Sequence, residues 1–180
     1  QSTRGRHLLE QHMRSALDAR VFEVFYQAKV VADENKIVGM EALLRWRGED
    51  DELISPADFI PLAEETGLIV PIGRWALREA CRQTQLWLKR GLFAVPVSVN
   101  ISAIEFRHKD FLAGVELILK ETGLPAAYLE LELTESILMH DADSSASMLG
   151  ALKEMGVKLA IDDFGTGYSS LSYLRRFPID

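Results

Sequence analysis

Val157-Lys158-Leu159-Ala160-Ile161-Asp162-Asp163-Phe164-Gly165-Thr166-Gly167-Tyr168-Ser169-Ser170 reads as a strand, a loop and the start of a helix. The apolar strand ends in two adjacent aspartates, and the glycines that follow allow a tight loop at the same spot. Two carboxylates held at one strand end repel each other unless a cation lies between them. The stretch therefore predicts a divalent-metal position at the rim of a sheet.

The same strand–helix unit recurs upstream. Val95 to Ile101 predicts a strand with Val95, Val97 and Val99 on one face and Ser98 and Asn100 on the other. A helix follows over Asp110 to Thr122, stopped by Gly123 and Pro125. Tyr128 to Thr134 predicts a strand in which Leu129, Leu131 and Leu133 oppose Glu130, Glu132 and Thr134. A helix over Ser144 to Met155 leads into the Val157–Asp163 strand, and Ser170 to Arg176 begins another helix. Further upstream, Ser55 is the expected N-cap of a helix over Pro56 to Glu65, and Gly67 lies just past its end. Pro71 opens a long helix ending at Gly91, with Leu77, Ala80, Cys81, Thr84 and Leu88 as its core stripe. Two strands, Val21–Val31 and Lys36–Trp46, flank the turn residues Asp33-Glu34-Asn35 and predict an antiparallel hairpin. Gln1 to Arg20 is helix-like, with Leu8, Leu9, Met13 and Leu17 along one side.

Repeated strand–helix units imply an α/β fold with a largely parallel sheet and helices outside. Such sheets place ligands at the carboxyl ends of their strands. Asn100, Glu132, Asp162 and Asp163 lie at or near the ends of successive strands, so one shared site is expected. About five or six strands are legible, whereas a closed eight-stranded barrel typically needs ~250 residues. Either the sheet is open, or this is about the first two-thirds of a barrel. The second reading is favoured, because Phe177-Pro178-Ile179-Asp180 stands where another strand should begin.

The chain has 180 residues, 48% of them hydrophobic, enough for a substantial core. Its net charge of −7 and lack of a basic run argue against a nucleic acid polymer as partner. A small phosphorylated ligand remains compatible where metal ions neutralise the site. The single cysteine, Cys81, cannot form an internal disulfide, which favours a reducing, cytoplasmic compartment. No apolar run approaches the ~20 residues of a membrane span. His7, His12, His108 and His140 show no zinc-ligand spacing. The start at Gln1 rather than Met suggests a piece of something longer.

Glu41, Asn100, Glu132, Asp162 and Asp163 all offer hard oxygen ligands, a set that selects magnesium, manganese or calcium over zinc or copper. Two metals at such a site could clamp both oxygens of an in-line phosphoryl transfer. Ordinary roles compete. A strand-end aspartate such as Asp163 often caps a turn, Asn100 could cap the segment after it, and Glu135 could start a helix. Glu132 could face water on an exposed strand. Arg45 shares strand parity with Glu41 and Leu43, so it could meet a phosphate or pair with a neighbouring carboxylate. Trp46, Trp75 and Trp87 are expected in the core or on helix surfaces.

Taken together these blocks resemble the EAL domain, a bacterial family that hydrolyses the second messenger cyclic di-GMP. The resemblance is carried by EALLRW from Glu41, SVNIS around Asn100, ELTES from Glu132 and DDFGTGYSS at 162–170. Tyr26-Gln27 and FIPLAEETG at 59–67 add to it, and the blocks keep family-like order and spacing. It implies a TIM-like (β/α)8 barrel with one antiparallel strand. It implies metal ligation by Glu41, Asn100, Glu132 and Asp162, with Asp163 shared with or next to a second ion. Gln27, Leu43 and Arg45 match positions that hold the dinucleotide. Glu135 matches the glutamate that anchors the DDFGTGYSS loop, which couples dimerisation to metal binding in the family. The implied reaction opens cyclic di-GMP to linear pGpG with Mg2+ or Mn2+, by water activated at Glu41, Asp162 and Asp163, and Ca2+ inhibits.

Two features depart from the family pattern. Ala28 stands where proline commonly follows Tyr-Gln, which should loosen the backbone only slightly. The family's general-base lysine falls beyond Asp180, as do a later glutamate and glutamine. The polypeptide is therefore expected to continue, and residues 1–180 alone are expected to be inactive. Residues 1–20, with Arg4, Arg6 and Arg14, read as a linker helix packing on the barrel, downstream of a sensory or GGDEF-type domain. Residues 21–180 read as the phosphodiesterase domain, expected to form a homodimer. The alternative is a receptor that binds cyclic di-GMP without cutting it. A magnesium enolase-type barrel would need a lysine or histidine base at a strand end, and only Lys158, deep at its strand's start, comes near.

Overall fold

The computed structural model describes residues 3–19, 21–48, 50–92, 94–162 and 178–180. Strands β1 (Phe22–Val31) and β2 (Lys36–Arg47) form the expected antiparallel hairpin. Asn35 closes its turn at φ 52°, a left-handed conformation that asparagine tolerates. A bulge between Lys29 and Val30 shifts the register near the turn. A two-residue strand, β3 (Leu53–Ile54), pairs with the end of β2; it is too short for periodicity to reveal.

From β2 the sheet continues in parallel through β4 (Val97–Asn100), β5 (Leu129–Thr134) and β6 (Lys158–Asp162), in the order β1-β2-β4-β5-β6. These are successive staves of a TIM-like barrel wall. The first strand is the antiparallel one. Parallel neighbours are joined by helices, as sequence periodicity predicts. Helix α1 spans Thr3–Ala19, α2 Pro56–Thr66 and α3 Ile69–Lys89. Then come α4 (Ala103–Arg107), α5 (Phe111–Thr122), α6 (Glu135–Met139) and α7 (Ala142–Glu154).

Several boundaries differ from the sequence expectation, each for a local reason. Helix α3 starts at Ile69, with Pro71 inside its first turn, where a missing N–H costs nothing. Ser55 occupies the N-cap of α2 without a side-chain bond, and Pro56 supplies the preset φ. Asp141 caps α7 by accepting from Ser144 N at 3.2 Å, so that helix begins two residues earlier than expected. Val95 lies outside β4. The five-residue helices α4 and α6 are too short to show a helical stripe. The expected Ser170–Arg176 helix lies outside the described residues.

The two faces of the sheet separate cleanly. Val97, Val99, Leu129, Leu131, Leu133 and Leu159 pack outward against Leu77, Ala80 and Cys81 of α3, Val115 and Ile118 of α5, and Leu149 and Leu152 of α7. Gln27, Lys29, Glu41, Ser98, Asn100, Glu130, Glu132 and Asp162 have the opposite parity, the side that a barrel turns inward. A second cluster joins α1 and α2 to the far ends of β1 and β2. There Met13, Phe22, Trp46, Phe59 and Ile72 are buried, and Trp46 meets Phe59 edge-on at 5.6 Å. Among the described residues no helix is long and apolar enough to cross a membrane.

Tyr26 points to the outer face and stacks edge-on against Trp87 at 4.8 Å. Its buried hydroxyl has no hydrogen-bond partner among the described residues, and burial pushes its pKa far up. Tyr26→Phe is therefore expected to leave stability unchanged or raise it by up to about 1 kcal/mol. A drop in the denaturant midpoint would show that the hydroxyl has a partner.

Candidate functional site

Strand pairing gathers the predicted site residues on one face. Gln27 pairs with Glu41, Glu41 with Ser98, Ser98 with Glu130 and Glu130 with Lys158, a continuous rung across five strands. The next rung towards the carboxyl ends pairs Asn100 with Glu132 and Glu132 with Ala160. Thr134 and Asp162 form the rung beyond it. Each rung advances roughly 6–7 Å along the strands. Glu41, Asn100, Glu132 and Asp162 thus climb the inner face towards the rim.

Direct contacts join part of this set. Asn100 Nδ2 donates to Glu41 Oε1 at 3.1 Å across β2 and β4. Glu132, only 9% exposed, accepts from Lys29 Nζ through Oε1. Lys29 also donates to Ser98 Oγ at 2.7 Å and to Glu130 Oε1 at 3.2 Å, while Ser98 Oγ donates to Glu130 Oε1 at 2.5 Å. Partial burial pulls the Lys29 pKa down, but the bonds from Glu132 and Glu130 outweigh it and raise it overall. Asp162 is exposed at the last position of β6. Among the described residues no three of the carboxylates, histidines or cysteines converge into a ready metal-binding group. Glu41 instead leans on the Asn100 amide and Glu132 on the Lys29 ammonium. Asp163 lies outside the described residues.

The remaining candidates line up around these. Arg45 lies 5.8 Å over the Phe25 ring and donates to Leu44 O at 2.9 Å. Among the described residues its guanidinium meets the Phe25 ring and the Leu44 carbonyl rather than a carboxylate. Leu43, Arg45, Asn100, Glu132, Thr134 and Asp162 share one cavity of about 300 Å³. Gln27 is exposed on the adjacent strand. Glu135 opens α6 at the end of β5, the helix-start position expected of it. The loop it would anchor falls within 163–177 and lies outside the described residues. Asn100 does not cap the next segment. Ser102 does, accepting from Glu105 N at 3.2 Å while Glu105 Oε2 accepts from Ser102 N at 3.0 Å.

Sequence reasoning missed four polar residues of this region. Lys29, Ser98 and Glu130 form the floor beneath Glu132, and their parity with Gln27, Asn100 and Glu132 was the available signal. Glu105 lines the same cavity and is 7% exposed; its signal was the Ser-x-x-Glu spacing. Desolvation raises its pKa to about 7 against the opposing bonds from Ser102. Gly73 makes room for it, since a Cβ there would overlap Glu105 Oε1.

Comparison with known proteins places this geometry in context. The family model described as the EAL domain matches residues 10–180. A bifunctional diguanylate cyclase/cyclic di-GMP phosphodiesterase from Pseudomonas aeruginosa, MucR, is 49% identical over 166 residues, covering 92% of this chain and 24% of that protein. The cyclic di-GMP phosphodiesterase NbdA of the same organism is 41% identical over 172 residues, covering 96% of this chain and 22% of that protein. The chain thus spans about a quarter of the length of these relatives. The solved structure of the MucR phosphodiesterase in complex with c-di-GMP superposes with a TM-score of 0.92 at 48% identity, over 96% of this chain and 70% of that one.

Proposed function

The chain belongs to the EAL domain family, and from that premise we propose that its protein hydrolyses cyclic di-GMP to linear pGpG at the inner face described above. The observation that carries the reading is the strand register, which sets Glu41, Asn100, Glu132 and Asp162 on one face of neighbouring strands, the last three at or near the strand ends. The donor set is all hard oxygen and fits Mg2+ or Mn2+. Glu41, the Asn100 carbonyl, Glu132, Asp162 and Asp163 would hold the ions. Bound there, they would neutralise the phosphodiester charge and activate water for in-line attack.

The chain's own groups do the orienting. The Asn100 amide donates to Glu41 and so turns its own carbonyl oxygen away, free to act as a ligand. The Arg45 guanidinium is held on the Phe25 ring and is suited to a phosphate oxygen. Leu43 offers an apolar surface beside it, and Gln27 a polar one across β1. Glu135, at the start of α6, would tether the loop that carries Asp163. Ca2+ favours higher coordination numbers and looser geometry; it would occupy the site and inhibit. We further propose that the domain works as a homodimer in the cytoplasm. Residues 1–20 would serve as a linker helix that passes on the signal of an upstream sensory or GGDEF-type domain.

The test is to incubate the full-length protein with cyclic di-GMP in Mg2+, in Mn2+ and in a chelator, and to separate products by chromatography. Linear pGpG in both metals, lost in the chelator and suppressed by Ca2+, is the expected result. Nucleotide bound but uncut would move the reading to a receptor. Neither binding nor product would sink both.

A further inference from the structure

We propose that Lys29 is a positioning residue that fixes the Glu132 carboxylate from below through Oε1, leaving Oε2 for the ion; this rests on the metal-site reading above. Lys29 stands on β1, 103 residues from Glu132 in sequence, yet bonds it directly. An ammonium has three N–H donors and no acceptor. Here three acceptors meet it: Ser98 Oγ, Glu130 Oε1 and Glu132 Oε1. Ser98 is buried, at 1% exposure, and bonds Glu130 in turn, so the base of the cluster is itself held. A lysine with its three donors committed to three acceptors on two other strands has one orientation, and it imposes one on the glutamate it touches.

That orientation has a purpose if Glu132 is a ligand. A loose glutamate loses rotamer freedom when it binds a cation, and a group already fixed does not. Hydrogen-bonded partners of metal ligands commonly govern affinity in this way. Charge alone would act in the opposite direction, because an isolated lysine repels a dication. Glu130 answers this. It lies one rung below Glu132 and pairs with the same ammonium. Lys29 and Glu130 cancel, so the floor orients Glu132 without making the site more positive.

The cancellation also supplies the decisive variant. Lys29→Met combined with Glu130→Gln removes one charge of each sign, leaving the net charge as it was. Mn2+ is titrated calorimetrically into the full-length protein without nucleotide, and unfolding temperatures are compared in chelator. The double variant is expected to bind Mn2+ about 10- to 100-fold more weakly than the parent, with an unfolding temperature close to it. Equal or tighter binding would overturn the proposal. Should the double variant not fold, Lys29→Arg is measured instead. Its planar fork cannot meet three converging acceptors as a compact ammonium does, so a several-fold loss is expected, and parental affinity would overturn the proposal. A parent protein that takes up no Mn2+ would overturn the metal-site reading and this inference together, whereas parent and variant binding alike would overturn only the role of Lys29.

Discussion

Glu41→Ala is expected to lower turnover of cyclic di-GMP by at least about 100-fold. Groups that merely orient metal ligands cost about 10- to 100-fold in affinity or activity when removed, so losing a ligand should cost no less. The loss should come with little change in stability. Glu41 is half-buried, and the bond that it accepts from Asn100 spans exposed side chains that water can satisfy. A surface-accessible bond of that kind is worth about 1 kcal/mol or less. Product formation by chromatography, read beside a thermal melt, separates the two effects. Turnover within about threefold of the parent would remove Glu41 from the site and, with it, the chemistry proposed for the inner face.

Glu105→Gln is expected to stabilise the fold by about 3 kcal/mol at pH 8 and to have little effect near pH 4. The carboxyl is buried between α4 and α3, and desolvation raises its pKa from 4.5 to about 7. The unfolded chain therefore releases this proton from about pH 4.5, and the folded chain only near pH 7. Between those values the folded state binds more protons, so stability falls as pH rises. Below pH 4.5 both states are protonated and the penalty vanishes. Glutamine carries no charge, yet it still completes the capping box with Ser102. Denaturant unfolding of both proteins from pH 4 to 8 should give stability curves that meet at acid pH and diverge with the parent falling. Parallel curves would mean that the carboxyl ionises freely where it sits.

The site residues were legible because sequence reports side-chain parity directly. Leu129-Glu130-Leu131-Glu132-Leu133 assigns its leucines to one face and its glutamates to the other whatever the strand pairs with. The core of Leu129, Leu131 and Leu133 is that assignment realised. Short elements were less legible. Helices α4 and α6 are under two turns long, so no stripe can form, and their starts are set by capping at Ser102 and by the strand end at Thr134. Helix α3 was misplaced by two residues because Pro71 reads as a start signal but is equally at home within the first turn.

What the chain settles locally is therefore the alternation of strand and helix, the face each strand turns inward and the oxygen chemistry of that face. Which side chains meet is another matter. The bond from Asn100 to Glu41 joins residues 59 apart, and that from Lys29 to Glu132 joins residues 103 apart. Both depend on the relative stagger of β1, β2, β4 and β5. Stagger is fixed by the packing of helices on the far side of the sheet and by the bulge at Lys29/Val30. A shift of one residue in any strand would turn its carboxylates into the apolar core. Parity was written in the sequence, because it is a property of one strand. The partners of each carboxylate were decided by the tertiary structure, because they are a property of four strands at once.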